Sequence, residues 1–236
     1  MQNTGSVNSK ERPILFNAEM VNAILSGRKT QTRRIMGNQP AGQDLETVHV
    51  RHNDDFNFQW YGNLGESSYF PCPLGKPGDQ LWVRETFALL GNEDGVCVDW
   101  QDNMVKGDEQ AAARIYKASC EQKHGDYGLY SIPDSAYWKP NTSNMKYEGS
   151  WRPSIHMPRW ASRINLLITG VRVERLNTIS TGDAMAEGYP AEREATGGSL
   201  DAWLWFRDLW DGIYPDNTFE VNPWCWVIEF ERMEAK

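Results

Sequence analysis

The sequence has few cysteines and histidines, and their spacing matches neither a metal site nor a disulfide framework. They are Cys72, Cys97, Cys120, Cys225, His49, His52, His124 and His156. No two cysteines form a Cys-x-x-Cys pair, whereas structural zinc sites need ligands at short, regular intervals. We therefore expect free thiols and no bound metal.

Long apolar segments and nucleotide-cofactor motifs are also missing. No apolar run approaches the roughly 18 residues of a membrane-spanning helix, and the first residues contain no apolar core of a secretory signal. Neither a phosphate-binding Walker loop, nor a dinucleotide-binding glycine fingerprint, nor a nucleophile elbow is present. These absences predict a cytoplasmic protein with no membrane partner and no cofactor.

The charge balance restricts the kind of nucleic-acid binding that is plausible. The chain of 236 residues has a formal net charge of −8, whereas proteins that bind long nucleic acid indiscriminately are usually basic. Cations nevertheless cluster at 28–34 and 152–163, while acids dominate 91–109 and 183–220. This pattern favours a defined basic pocket over a broad basic face.

The densest group of reactive side chains follows a short predicted helix that begins at Ala18. Asn17 is a good N-cap, and Gly27 is a typical residue just beyond a helix C-terminus. Six cationic or hydroxyl-bearing residues then follow within 28–34: Arg28, Lys29, Thr30, Thr32, Arg33 and Arg34. Together they offer cations for phosphate, hydroxyls for attack and a lysine that burial could make basic.

The rest of the chain predicts a single α+β domain. We expect a flexible lead over 1–12 and one domain over 13–236, with insertions at about 37–72 and 91–150. The predicted strands are Pro13–Phe16, 81–84, 113–118, Asn165–Leu176 and Pro223–Glu231. Two further helices are predicted. The first is Ser180–Gly188, where Ser180 and Asp183 have capping-box spacing, and the second is Leu200–Ile213, with Ser199 as its cap. Strands interspersed with helices in this order favour a small, mostly antiparallel barrel flanked by helices.

The order of these motifs resembles the ASCH domain of the PUA-like superfamily. The matching features are GRKTQT after the first helix, the Gly78-Asp79 turn before a strand, Ala-x-x-Glu-Gly ending at Gly188, and a terminal WVIEF strand. With WRPSIHMPRWASR at 151–163, the chain is similar to ASCH proteins of tailed phages and prophages. The resemblance implies a PUA-like mixed barrel, RNA or modified-nucleotide recognition, and a bacterial host cytoplasm.

One branch of that family hydrolyses N4-acetylcytidine with a lysine, a threonine and a glutamate. The resemblance carries these roles to Lys29, Thr32 and Glu187. A threonine hydroxyl needs a base, which a desolvated lysine can be, and a carboxylate can carry the proton to the leaving amine. In a regular strand Lys29 and Thr32 would face opposite sides, so the arrangement requires a bend near Thr30.

A second group of candidates would bind the base and phosphate of a nucleotide, because arginine forks suit phosphate and aromatic rings suit stacking. The segment 151–163 supplies most of them, and Arg84 and Glu85 are predicted to form a buried pair at the barrel mouth. The full set of predicted binding residues is Arg28, Arg33, Arg34, Arg84, Glu85, Trp151, Arg152, His156, Arg159, Trp160 and Arg163.

Three functions stay open at this point. The first is binding of a nucleotide, a nucleoside or a short nucleic acid, RNA or modified, in the basic cleft. The second is hydrolysis of N4-acylated cytosine nucleosides in the same cleft, so an enzymatic activity is possible but not required. The third is an accessory protein that binds a host protein through its acidic insertion at 91–109.

Overall fold

The computed structural model describes residues 9–40, 47–91, 96–101, 103–119 and 151–234. The strands are β1 (Glu11–Leu15), β2 (Gln31–Ile35), β3 (His49–His52), β4 (Asn57–Gly62), β5 (Gly65–Glu66), β6 (Phe70–Pro71), β7 (Gln80–Arg84), β8 (Phe87–Leu89), β9 (Arg114–Tyr116), β10 (Asn165–Arg175) and β11 (Trp224–Arg232). The α-helices are α1 (Ala18–Leu25), α2 (Thr181–Ala186), α3 (Ala191–Glu194) and α4 (Asp201–Ile213). The mixed α+β class with mostly antiparallel sheets is confirmed.

A five-stranded sheet in the order β1-β7-β10-β11-β2 organises the fold. Its strands are antiparallel except for β1 and β7, which run parallel. The predicted closed barrel is not found in the part of the chain that the structure describes, where β1 and β2 are the two edges of this sheet. Between these edges, Arg34 Nη2 donates a hydrogen bond to the backbone oxygen of Leu15 at 2.8 Å.

The segment just before β2 pairs with the end of α2. The segment at the end of α2 lies against it: Lys29 forms a backbone bridge with Glu187, and the Thr30 amide donates to the Ala186 oxygen at 2.9 Å. The Thr30 amide, just before β2, is therefore satisfied by the end of a helix. This arrangement brings Glu187 to the edge of the sheet.

The helix boundaries predicted from capping residues are largely confirmed. The Asn17 side chain accepts from the Met20 amide at 2.8 Å, and Gly27 has a φ of 78° just after α1. Ser180 and Asp183 form the predicted capping box of α2. The prediction that Ser199 caps α4 is wrong. The helix begins at Asp201, and its N-cap is Leu200, which makes no side-chain capping bond.

The two faces of the central sheet carry separate cores, and this determines where the residues of β2 point. Trp226 and Ile228 belong to the core under α1, and their register partners on β2 are Arg34 and Thr32. Alternate residues of β2 face the core built on α4. Thr32 and Arg34 thus lie on one face, while Arg33 lies on the other.

The segment 37–72, which we predicted to be an insertion or a long loop, is not a loop. It contains β3–β6, which form a second sheet, and its aromatic side chains enter the main core. Phe58 contacts Trp226 and Trp60 contacts Trp224, with ring centroids 4.9 and 5.1 Å apart. The segment is thus an integral part of the domain.

The second predicted insertion, 91–150, is only partly described. Its predicted strand is confirmed as β9, which pairs with β8. Residues 120–150, with most of that insertion, and residues 1–8 of the predicted lead lie outside the described residues, whereas Glu11 and Arg12 of that lead belong to β1.

Three of the four cysteines fall within the described ranges, and all three are free thiols, as predicted. Burial raises the pKa of Cys72 to about 11 and that of Cys225 to about 12. Within the described ranges, no helix is both long and apolar enough to cross a bilayer.

Candidate functional site

A buried ion pair joins the two predicted catalytic residues that are most distant in the sequence. Lys29 Nζ lies 2.8 Å from Glu187 Oε2 and also 2.8 Å from the backbone oxygen of Glu187. Lys29 is 2% exposed and Glu187 is 4% exposed. The lysine is held in place from its own backbone as well, because its amide donates to Ala23 at the end of α1.

The surroundings of Lys29 lower its pKa. Burial is the largest cause, since it disfavours the charged ammonium; the guanidinium groups of Arg34 and Arg33 act in the same direction. The carboxylate of Glu187 opposes these effects without cancelling them. The amine is therefore easier to deprotonate than an ordinary lysine, which is what a general base requires.

Thr32 and Lys29 lie on the same face of the sheet. Lys29 and Arg34 contact the same aromatic ring: Lys29 Nζ is 5.6 Å from the centroid of Phe16, and the Arg34 guanidinium is 5.1 Å from it. Arg34 Nη1 also donates to Thr32 Oγ1 at 2.9 Å. Lys29 reaches this face because the regular strand β2 begins only at Gln31, so the alternation of faces does not apply to it.

We call Phe16, Lys29, Thr32, Arg34 and Glu187 the buried polar layer. Thr32 is 1% exposed, and among the described residues its hydroxyl has one hydrogen-bond partner, Arg34. Arg34 itself is half-buried, and Leu15, to which it donates, is 44% exposed. The layer therefore meets solvent at Arg34.

Glu187 also forms an ion pair with Arg33, whose side chain lies on the opposite face of the sheet. Arg33 Nη1 lies 3.2 Å from Glu187 Oε1, while Arg33 Nη2 lies 3.0 Å from Glu174 Oε2. The Arg33 side chain is completely buried. Sequence reasoning placed Arg33 among the ligand-binding residues, but the structure makes it a partner of carboxylates.

A cavity of about 360 Å³ lies on the other side of Glu187, between α1 and α4. Predicted binding residue Arg28 lines it, but its guanidinium donates to the backbone oxygens of Gly188 and Tyr189 at 3.2 and 2.8 Å. Arg28 thus stabilises the turn after α2. Lys29 and Thr32 do not line this cavity.

The arginines of the middle segment do not converge on the buried polar layer. Each is paired with a carboxylate from elsewhere: Arg152 with Glu109 at 2.6 Å, Arg159 with Glu11 at 2.9 Å, and Arg163 with Glu85 at 2.8 Å. These partners lie on different parts of the fold. The expectation that this segment joins Lys29 and Thr32 in one basic cleft is therefore not met by the described contacts.

The predicted pair of Arg84 with Glu85 is wrong. Both oxygens of Glu85 bind Arg163, at 2.8 and 3.0 Å. Arg84 instead donates to the backbone oxygen of Ile155 and lies 5.6 Å from the Trp82 ring. Side chains of successive residues in extended backbone point to opposite sides, so neighbouring residues there rarely pair.

The remaining candidates of the middle segment are mostly structural. Trp151 packs against a small core that contains Ala88 and Ile115, and Trp160 packs against a second small core that contains Phe87 and Met157. The Arg114 guanidinium lies 5.3 Å from the Trp160 ring. His156 lies exposed in a short 3-10 turn. None of these three contacts the buried polar layer in the part of the chain that is described.

Comparison with known proteins gives no match: neither a family model, nor a curated protein, nor a solved structure matches the chain. Among the described residues, no group of three or more histidine, cysteine, aspartate or glutamate side chains is placed to hold a metal ion.

Proposed function

We propose that this protein hydrolyses the amide of an N4-acylated cytosine nucleoside, the activity of the branch of the ASCH family whose lysine, threonine and glutamate match Lys29, Thr32 and Glu187. The observation that carries the proposal is the contact of 2.8 Å between Lys29 Nζ and Glu187 Oε2. Lys29 lies against the same Phe16 ring as Arg34, which donates to Thr32 Oγ1. These contacts bring a desolvated amine, a carboxylate and a hydroxyl into one buried layer. These are the groups that amide hydrolysis through a threonine ester requires.

The proposed reaction has two steps. Neutral Lys29 takes the proton of Thr32 Oγ1, and the alkoxide attacks the acyl carbonyl. The carbon–nitrogen bond breaks, the proton passes by way of Glu187 to the leaving N4 amine, and an acyl ester on Thr32 remains. Water then hydrolyses the ester to the free acid and Thr32. The guanidinium of Arg34, 2.9 Å from Thr32 Oγ1, stabilises the developing negative charge.

Incubation of the protein with N4-acetylcytidine should release cytidine and acetate, measured by chromatography. Thr32→Val should abolish the release because it removes the nucleophile while keeping the buried shape, and Thr32→Ser should retain part of it. Thr30→Val is the matched control, since Thr30 is exposed and lies two residues away. Lys29→Met should also abolish the release; it leaves Glu187 paired with Arg33.

Release of cytidine by Thr32→Val at the wild-type rate would contradict this mechanism. Absence of any release by the wild-type protein, from N4-acetylcytidine or a longer N4-acyl analogue, would contradict the proposed activity itself. Thermal unfolding of each variant separates loss of chemistry from loss of the fold.

A second candidate function, binding of a nucleotide or short nucleic acid, is favoured by the surroundings of Trp82. This half-buried ring has Arg84 5.6 Å and Arg159 5.9 Å from its centroid. Aromatic rings beside guanidinium groups suit base stacking and phosphate contacts. Arg84 is the last residue of β7, and Arg159 pairs with Glu11 at the start of β1, so both arginines lie at the β1 side of the sheet.

Titration with fluorescein-labelled oligonucleotides of RNA and DNA tests this candidate. We expect binding that weakens as salt rises and that falls on combined Arg84→Ala and Arg159→Ala substitution. Arg207→Ala, in the exposed part of α4, is the control. Binding that is unaffected by the double substitution would contradict this location. If no oligonucleotide binds at low salt, binding to a host protein through 91–109 becomes the better interpretation.

A further inference from the structure

Arg33 lies between two acidic side chains of one short helix. Asp183 and Glu187 are four residues apart in α2 and its C-cap, so they lie on the same face of the helix. Both face the Arg33 guanidinium: Glu187 Oε1 at 3.2 Å from Nη1, and Asp183 Oδ2 at 3.7 Å from Nη2. The guanidinium thus spans one full turn of the helix.

The carboxylates around Arg33 are themselves held in place. Asp183 is fixed by its capping box with Ser180 and by Arg172, 2.8 Å from its other oxygen. Glu174, on β10, lies 3.0 Å from Arg33 Nη2 and also pairs with Arg172. These contacts fix the guanidinium relative to both the sheet and the helix. Among the described residues, Glu187 is the one partner of Arg33 that also contacts Lys29.

We propose that Arg33 is a positioning residue for the amide hydrolysis, which holds Glu187 Oε1 so that Oε2 faces Lys29. The inference rests on the proposed function. The Arg33 side chain has no exposed surface and lies on the opposite face of β2 from Thr32, so it cannot reach a substrate at Thr32. Arg33 must therefore affect the reaction indirectly, through its contact with Glu187 and through the effect of its positive charge on Lys29.

The charge of Arg33 gives the proposal a measurable signature. The charged groups that act on Lys29 are Glu187, Arg33 and Arg34; both arginines lower the lysine pKa and Glu187 raises it. Removal of the Arg33 charge therefore raises the Lys29 pKa. Because the reaction needs the neutral amine, the pH at which the rate is half-maximal should move upward.

Arg33→Met and Arg33→Lys test the proposal, and Arg207→Met, at a partly exposed side chain of α4, is the control. For hydrolysis of N4-acetylcytidine we expect Arg33→Met to lower kcat by about 100-fold, as expected for a misplaced catalytic group. KM should stay near that of the wild type, and the pH profile should shift upward. Arg33→Lys restores a charge but not the second contact, so we expect a smaller loss of kcat and a smaller shift. If Arg33→Met does not fold, Arg33→Lys alone decides between the outcomes.

An unchanged kcat, or a reduced kcat with the wild-type pH profile, would overturn the positioning role. A second measurement keeps that role testable if the protein proves inactive on acylated cytidines. The Lys29 side chain can be titrated by NMR of ¹³C-labelled lysine in the wild type and in Arg33→Met. A higher Lys29 pKa in the variant supports the role of Arg33, and an equal pKa overturns it.

Discussion

Replacement of Glu187 by alanine should lower the free energy of unfolding by about 3–5 kcal/mol, the usual cost of breaking a buried ion pair from one side. The substitution removes the only carboxylate that pairs with Lys29 among the described residues, and the Lys29 side chain has no exposed surface. Arg33 keeps Glu174 as a partner. The destabilisation therefore comes chiefly from the unpaired lysine.

Thermal or urea unfolding measures this effect. For a chain of this size we expect a fall in Tm of roughly 6–20 °C. The matched control is Glu194→Ala, because Glu194 is exposed at the end of α3 and its loss should change little. Equal unfolding midpoints for the two variants would show that Glu187 does not compensate a buried charge.

The Glu187→Ala protein should also depend on pH in a definite direction. The Lys29 pKa is lowered in the folded state, and loss of Glu187 lowers it further, since that carboxylate raises it. Between the folded pKa and the ordinary value of 10.5, the unfolded chain binds more protons than the folded one. The stability of the variant should therefore rise with pH over that interval, and more steeply than that of the wild type.

The second large effect concerns the small sheet. Phe58→Ala should destabilise the protein by about 3–5 kcal/mol, because a buried ring is lost and a cavity remains. Phe58 is 1% exposed, and its ring packs edge-on against Trp226 at 4.9 Å. The measurement is again urea unfolding. Leu64→Ala, at a side chain that is 71% exposed in the same segment, is the control.

A loss below about 1 kcal/mol for Phe58→Ala would mean that the segment is separable from the domain. Such a result would support the interpretation of 37–72 as an insertion. The structure instead predicts that deletion of this segment prevents folding, since β4 contributes two aromatic side chains to the core on which β11 packs.

Helix ends could be predicted from the sequence because they depend on contacts between residues close in the chain. Asn17, Gly27 and the pair of Ser180 with Asp183 mark helix ends through contacts within a few residues, so a sequence can show them. The alternation of aromatic and polar residues over 56–60 was equally local and indicates β4. The many turn-forming residues around it obscured that pattern.

Most contacts of the site could not be predicted, because they join distant parts of the chain. The resemblance to a known domain suggested Lys29, Thr32 and Glu187, and the first and last of these are in direct contact across 158 positions. The roles of Arg33 and Arg163 were missed. Their carboxylate partners lie 141 and 78 residues away, and no spacing rule connects residues at such separations.

The junction between the two edge strands has a mechanical consequence. Among the described residues, β1 and β2 are joined there by the side chain of Arg34 rather than by a ladder of main-chain bonds. Parting the strands at this point breaks a hydrogen bond whose net contribution is on the order of 1 kcal/mol, together with the stacking of Arg34 on Phe16. Fewer contacts therefore hold these two edges together than hold the paired strands, and local opening of the sheet costs least at this junction, beside Thr32.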